Sequence, residues 1–278
     1  MKTELRYANH PDDFRSYDTT RIRKEFLIET LFVPGEITLT YSMYDRYIVG
    51  GAMPADKPLK LEAFDDLKAA EFLDRREMGI INVGGDAEII AGGVTYTLGY
   101  KEALYLGKGT TGITFRSADK SKPAKLYINS APAHHAYPCK KVTLKEAIVA
   151  EMGSLESSNH RNINKLLVSG VVETCGLQMG LTTLSQGSVW NTMPPHTHGR
   201  RMEAYFYFEV PAGQAICHFM GDPDETRHIW MKNDQAVISP SWSIHSAAGT
   251  ANYSFIWGMT GENLDYGDMD IRQPDQLK

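Results

Sequence analysis

Strand-length apolar runs recur along the whole chain, each cut within a few residues by Gly, Pro, Asp or Asn. "EITLTYSM", "RYIVGG", "GIINVGG", "AEIIAGG", "VTYTLG", "ALYLG", "GITFRS" and "KLYINSA" occupy the first half. "GLQMGLTTL", "EAYFYFEV", "AICHFMG", "QAVISP" and "YSFIWGM" occupy the second. β-Branched and aromatic residues in short runs, with turn residues between them, predict an all-β sandwich or barrel. Helical spacing is confined to 61–73 and 144–152, where short helices are expected. The polar stretch "GSLESSNHRN" that follows the second of these marks a boundary. The expected organisation is one unit over 1–140, a linker with a short helix over 141–164, and a second unit over 165–278.

The two halves resemble each other in order. "DRREMGIIN" at 74–82 parallels "GRRMEAYFY" at 199–207. "EALYLGKGTTG" at 102–112 parallels "QAVISPSWSIH" at 235–245, which sets Gly112 opposite His245. "KLYINSA" at 125–131 parallels "YSFIWGM" at 253–259. Two copies of one antiparallel barrel unit are the natural reading of such a repeat.

The second half alone carries a metal-ligand pattern. In His196-Thr-His198 the two histidines share one face of a strand, since side chains alternate. Glu203 is an odd step away, but a turn at Gly199-Arg200 returns its carboxylate to the histidine side. His245, beyond "QAVISP", closes the set. Three imidazoles and a carboxylate suit Zn, Mn, Fe or Ni. The first half has no His-x-His, so one ion per chain is expected, in the second unit.

Strand parity ranks the neighbours. Arg201, Tyr205 and Tyr207 share the Glu203 face, while Met202, Ala204, Phe206 and Phe208 take the other, which needs a cover from a second sheet or another subunit. Thr192 has the parity of His196, and Thr182 shares a face with Gln178. Arg161, at the entrance to the second unit, is a candidate anion binder, and Met259 can touch substrate. Candidate substrate-binding residues are therefore Arg201, Tyr205, Arg161, Thr182, Thr192 and Met259, with Tyr205 the candidate catalytic group. Glu225, His228 and Glu262 are further possible proton carriers that the sequence does not place.

Composition trims the list of functions. Of 278 residues, 42% are hydrophobic and 23% charged, which is ordinary for a globular protein. A net charge of −5 offers no basic footprint for nucleic acid, and no apolar run is long enough for a membrane helix. "MKTELRYANHPDDFRSYD" has no apolar run behind its lysine, so no secretory leader is expected. Cys139, Cys175 and Cys217 are odd in number and far apart, which favours reduced thiols in a cytoplasm.

His196-x-His198-x4-Glu203 with a later Pro-x4-His is similar to the metal motif of cupins. Val210 and Trp242 stand where that motif often has glycine. Longer strings resemble the 5-keto-4-deoxyuronate isomerase family: "TYSMYDRYIVGG", "YLGKG", "NTMPPHTHGRRMEAYFYF", "ETRHI", "QAVISPSWSIHS" and "FIWGM". The resemblance covers most of the chain. It implies a bicupin of two jelly-roll-like barrels, a Zn2+ ion on His196, His198, Glu203 and His245, a homohexamer, and a small uronate as substrate. The implied reaction interconverts 5-dehydro-4-deoxy-D-glucuronate and 3-deoxy-D-glycero-2,5-hexodiulosonate in pectin breakdown. An iron-dependent cupin dioxygenase and a non-enzymatic sugar-binding bicupin are the competing readings.

Overall fold

A computed structural model describes all residues from 1 to 278. Its strands and helices run, in chain order, as β1 (Lys2–Arg6), α1 (Pro11–Phe14), α2 (Thr19–Phe26), β2 (Leu27–Ile28), β3 (Glu36–Ser42) and β4 (Ile48–Met53). Next come β5 (Leu59–Lys60), β6 (Arg76–Asn82), β7 (Ala87–Ala91), β8 (Val94–Leu98), β9 (Ala103–Leu106), β10 (Thr114–Ser117), β11 (Leu126–Pro132) and β12 (Lys140–Val142). The second half holds β13 (Ile148–Met152), β14 (Arg161–Leu167), β15 (Gln178–Leu184), β16 (Trp190–Asn191), β17 (His196–Thr197) and β18 (Arg201–Phe208). It closes with β19 (Ile216–Asp222), β20 (Glu225–Met231), β21 (Gln235–Ser239), β22 (Ile244–Gly249), β23 (Ser254–Gly261) and β24 (Asp270–Ile271).

Two compact units emerge. The first comprises Met1–Arg6, Thr30–Ile148 and Lys165–Met179, and the second Tyr7–Glu29, Val149–Asn164 and Gly180–Lys278. These edges differ from a simple cut at 140 and 165. Residues 7–29 belong to the second unit because β2 forms the edge of its large sheet, pairing Leu27 with Val237. Phe14 and Phe26, both buried, set their rings against Trp242 at 5.2 and 6.4 Å. The tryptophan that stands in place of the motif glycine is thus the seat of the first two helices.

The sheets repeat. One seven-stranded sheet runs β1-β3-β4-β11-β6-β9-β12, and the other runs β13-β14-β15-β23-β18-β21-β2. The four-stranded sheets run β5-β10-β7-β8 and β16-β22-β19-β20. Corresponding strands therefore occupy corresponding places, and register makes the match residue by residue. Arg76 pairs with Pro132 and Met78 with Leu106; Arg201 pairs with Gly261 and Glu203 with Ser239. Met78, wholly buried, occupies the place of the Glu203 carboxylate.

Register also corrects the repeat at two points. Because Arg76 faces Pro132 and Arg201 faces Gly261, Ala131 corresponds to Thr260, one residue on from the pairing expected of "KLYINSA" and "YSFIWGM". A one-residue slip exchanges the two faces of a strand, so the distinction decides which side chains point inward. Gly112 is exposed in the loop before β10 with φ of +63°, and the ladders set the buried Phe115, paired with Ile89, in the place of His245, paired with Met220.

The expected helices did not form. The stretch 61–73 contains only a single turn of 3-10 helix at Asp65–Leu67, and 144–152 ends in the strand β13. The helices lie instead where capping residues stand. His10 caps α1 through its ring, with Pro11 in the first turn, and Asp18 caps α2 by accepting from Arg21 N at 2.8 Å.

Candidate metal centre

The centre is built on β17, β18 and β22. The turn at Gly199 and Arg200 brings β18 back past β17, and β24 pairs with β17 through His196 and Ile271. All eight residues of β18 are buried within the single chain, so the Met202–Phe208 face is covered without a neighbouring subunit. Glu203 faces Ser239 on one side and Met259 on the other. His245 enters from the smaller sheet, where β22 pairs it with Met220.

Four ligand atoms converge. His196 Nε2 lies 3.1 Å from His198 Nε2 and 3.0 Å from His245 Nε2. Glu203 Oε1 lies 2.6 Å from His198 Nε2, and its Oε2 lies 3.7 Å from His245 Nε2. All four fall within 4.8 Å of one another. An ion with bonds of about 2.0–2.1 Å sets its ligand atoms roughly 3.0–3.4 Å apart, octahedral at the short end and tetrahedral at the long end. The donors therefore suit a small divalent cation in type, and the His196 separations of 3.1 and 3.0 Å fit it in spacing, with the Glu203 oxygens at 2.6 and 3.7 Å on either side of that range. His198, Glu203 and His245 are 2, 5 and 1% exposed, and His196 is the most open.

The electrostatics favour the ligand forms of His196, His245 and Glu203. Burial drives His245 well below its ordinary pKa and His196 down to about 4, against the pull of Glu203, so both imidazoles are neutral at pH 7. Burial alone would raise the Glu203 carboxyl, but His245, His198 and His196 outweigh it and hold the group at about 2. His198 is also pressed down by burial, yet Glu203 and the Asp268 carbonyl overcome this and raise it. Its Nδ1 donates to Asp268 O at 2.5 Å, which leaves the Nε2 lone pair to face the centre.

Arg201 lies on the Glu203 face, as parity requires, but its guanidinium is only 1% exposed. Nη2 donates to Asp265 O at 2.7 Å and to Asp268 O at 2.9 Å. It fixes the loop whose carbonyl orients His198, while its Nη1 is buried without a hydrogen-bond partner. Arg161 is the more accessible cation. It spends Nη1 on Asn159 O at 2.7 Å, and burial lowers its pKa while Tyr205, Tyr266 and Tyr253 press the other way.

The other candidates divide. Tyr205 packs its ring 5.2 Å from that of His245, and its hydroxyl lies 3.0 Å from Thr192 Oγ1. Met259 is the cross-strand partner of Glu203. Thr182 is buried two residues along β15 from Gly180, where any Cβ would strike the Trp257 ring, so it shares that face. Glu225 pairs with Arg227, Glu262 lies near Arg200 at the surface, and His228 is exposed; none joins the cluster.

Two residues were missed. His218 is fully buried, its Nδ1 is 2.8 Å from the Tyr207 hydroxyl, and burial lowers its pKa to about 3. The alternation Ile216, His218, Met220 in "AICHFMG" carried that signal. Tyr266 packs against Trp257 at 5.4 Å and is pushed up to about 12 by burial and by Glu203. It sits in an irregular loop, where no periodicity could have revealed it.

A profile of the KduI/IolB family matches residues 28–273. Over 280 residues the chain is 65% identical to 4-deoxy-L-threo-5-hexosulose-uronate ketol-isomerase 1 of Bacteroides thetaiotaomicron, with all of both chains covered. It is 53% identical over 272 residues to the ketol-isomerase of that substrate from Pectobacterium carotovorum, covering 96% of this chain and 97% of that one. Among solved structures it is similar to an IolB-like protein from Salmonella typhimurium, with a TM-score of 0.71, 17% identity, and 89% and 96% coverage. An oxalate decarboxylase from Bacillus subtilis matches with a TM-score of 0.56, 10% identity, and 81% and 71% coverage. These two structural likenesses carry the fold alone, which is mostly stranded and cupin-like.

Proposed function

The chain belongs to the KduI/IolB family, and on that premise we propose that it is a uronate ketol-isomerase working at one zinc ion per chain. It interconverts 5-dehydro-4-deoxy-D-glucuronate and 3-deoxy-D-glycero-2,5-hexodiulosonate in the breakdown of pectin and related uronates. The observation that carries the metal reading is the ring of three imidazole nitrogens closed on the buried Glu203 carboxylate. Each unit is a jelly-roll-like barrel and the pair a bicupin, with His196, His198, Glu203 and His245 holding the ion in the second. Three unpaired cysteines suit a reducing cytoplasm, and the family resemblance points to a homohexamer.

Ketol isomerisation takes a proton from the hydroxyl-bearing carbon and returns one to the neighbouring aldehyde carbon, through an enediol. Negative charge gathers on oxygen along the way, and a bound divalent ion would polarise the carbonyl and offset that charge without changing redox state. The chain's own groups do the rest. Burial keeps the Tyr205 phenol protonated, so it serves as a hydrogen-bond donor to a substrate oxygen, its hydroxyl steadied by Thr192. Arg161 takes the substrate carboxylate in place of Arg201. Phe255 and Trp257, both buried, line the same end of the barrel and keep water out.

The test is NMR of 5-keto-4-deoxyuronate with the purified protein under anaerobic conditions, before and after metal removal. Isomerisation without oxygen, lost on chelation and regained with zinc, is the expected outcome. Turnover that requires oxygen would transfer the site to dioxygenase chemistry. Arg161→Lys should raise KM about tenfold with metal content unchanged, since it keeps the charge but loses the fork.

A further inference from the structure

We propose that the first unit carries an anion site of its own, a cavity floored by Arg76 that takes the carboxylate of a small organic acid. The cavity measures about 140 Å³ and is lined by Tyr41, Arg46, Leu67, Phe72, Arg75 and Arg76 among others. That is several times the roughly 30 Å³ share of one liquid water, so a molecule of a few carbons fits.

The argument begins with an uncompensated charge. Arg76 is 5% exposed, and every partner it has is neutral. Nε donates to Ser130 Oγ at 3.0 Å, and Nη2 donates to Arg46 O at 2.7 Å and Ser130 O at 2.8 Å. These bonds occupy one edge of the guanidinium and leave Nη1 for the cavity. Burial is severe enough to lower Arg76 to about 10, and the groups that resist the shift are the Tyr41 and Tyr47 hydroxyls, with no carboxylate among them. A buried cation without a counter-ion is costly, and an anion in the cavity would remove the cost.

Two more guanidinium groups reinforce the floor. Arg46 and Arg75 line the same cavity and are exposed at its rim. Acidic residues lie nearby in sequence but none lines the cavity. Asp74 is taken by the amides of Ala70 and Glu71, and Asp65 pairs with Lys68 at 2.6 Å. Asp45 and Asp66 likewise contribute nothing to the lining. The opposite wall is apolar: the Tyr41 ring lies 5.6 Å from the Arg76 guanidinium, and Phe72 and Leu67 extend it. A charged floor beside a hydrocarbon wall fits a carboxylate on a carbon skeleton better than inorganic phosphate.

The test is calorimetric titration of the zinc-loaded protein with D-galacturonate and with glycolate, set beside inorganic phosphate. Two carboxylate sites per chain are expected in the native protein and one in the rim variant R46A/R75A. The affected site should weaken by about tenfold or more, while zinc content and turnover stay unchanged. R76M should abolish that site; if it fails to fold, the rim variant still decides. Equal stoichiometry and affinity in native and R46A/R75A protein would overturn the proposal. Phosphate binding there in preference to both carboxylates would overturn the ligand class.

Discussion

Glu77 and Glu203 are buried carboxylates on equivalent strands, and they face opposite ways. Glu77, in β6, is closed off by hydrogen bonds. Its Oε1 accepts from the amides of Gly176 and Leu177 at 2.8 Å, and its Oε2 from the Cys175 amide at 2.8 Å and the Tyr105 hydroxyl at 2.7 Å. Glu203, in β18, meets three imidazole nitrogens instead, each able to offer a lone pair. One carboxylate fastens a loop; the other is left with partners that only a cation can reconcile. The difference is one residue of parity, since the place of Glu203 in β6 is filled by Met78. Within one topology, a shift of a single position separates a structural anion from a member of the candidate metal cluster.

The strongest way to break this contrast is to remove two imidazoles. H196A/H198A should reduce bound zinc from one per chain to near zero and lower turnover by roughly 10³-fold or more, since metal assistance is worth several kcal/mol. Elemental analysis showing full zinc in that variant would end the assignment. The matching test in the first unit is Glu77→Leu. Three buried amides lose their acceptor, at about 1–3 kcal/mol each, so denaturant melts should show a loss of at least about 3 kcal/mol. Zinc per folded chain should not change. An unaltered melt would mean the carboxylate is dispensable.

Arg201→Lys follows. Losing the contacts to Asp265 O and Asp268 O should cost about 1.5–3 kcal/mol and loosen His198, so zinc affinity should fall along with stability. Zinc affinity equal to that of the native protein would reopen a direct role on substrate. At neutral pH the smallest effect concerns His218, whose contribution emerges only in acid. It is neutral when folded, with a pKa of about 3 against an ordinary 6.5, so the unfolded chain binds the extra proton between those values. Stability should be intact above pH 6.5 and fall by up to about 1.4 kcal/mol per unit as pH drops toward 3. His218→Ile, which removes the titrating group and keeps an apolar filler, should flatten that slope in acid melts. Parallel slopes for the two proteins would discount the histidine.

Much of the centre was legible because β-structure writes its geometry into parity. His196 and His198 two apart, a turn at Gly199, and Glu203 beyond it were enough to group the ligands. Parity says which face a residue takes, but not whether the face is open. Arg201 has the right parity, yet backbone carbonyls of the 265–268 loop take its Nη2, and that loop has no period to read. The repeat between the halves was visible in short strings, but only the ladder partners fixed Ala131 against Thr260. The missed helices teach a similar lesson. Apolar spacing at 144–152 mimicked a helix, but β-branched Ile148 and Val149 sit in a strand there. The capping signals at His10-Pro11 and Asp18 were present and marked the true helices.

The edge strand β2 has a consequence for how the molecule can be made. Leu27 and Val237 are ladder partners separated by most of the chain, so the second unit waits on ribosomal synthesis of β21 before its sheet can close. Such long-range closure is entropically expensive and slow to form. A fragment lacking the first thirty residues would leave β21 with a bare edge and Trp242 without its aromatic seat. Unpaired edges recruit other strands, so dissecting this protein at its apparent midpoint invites aggregation rather than an isolated working barrel.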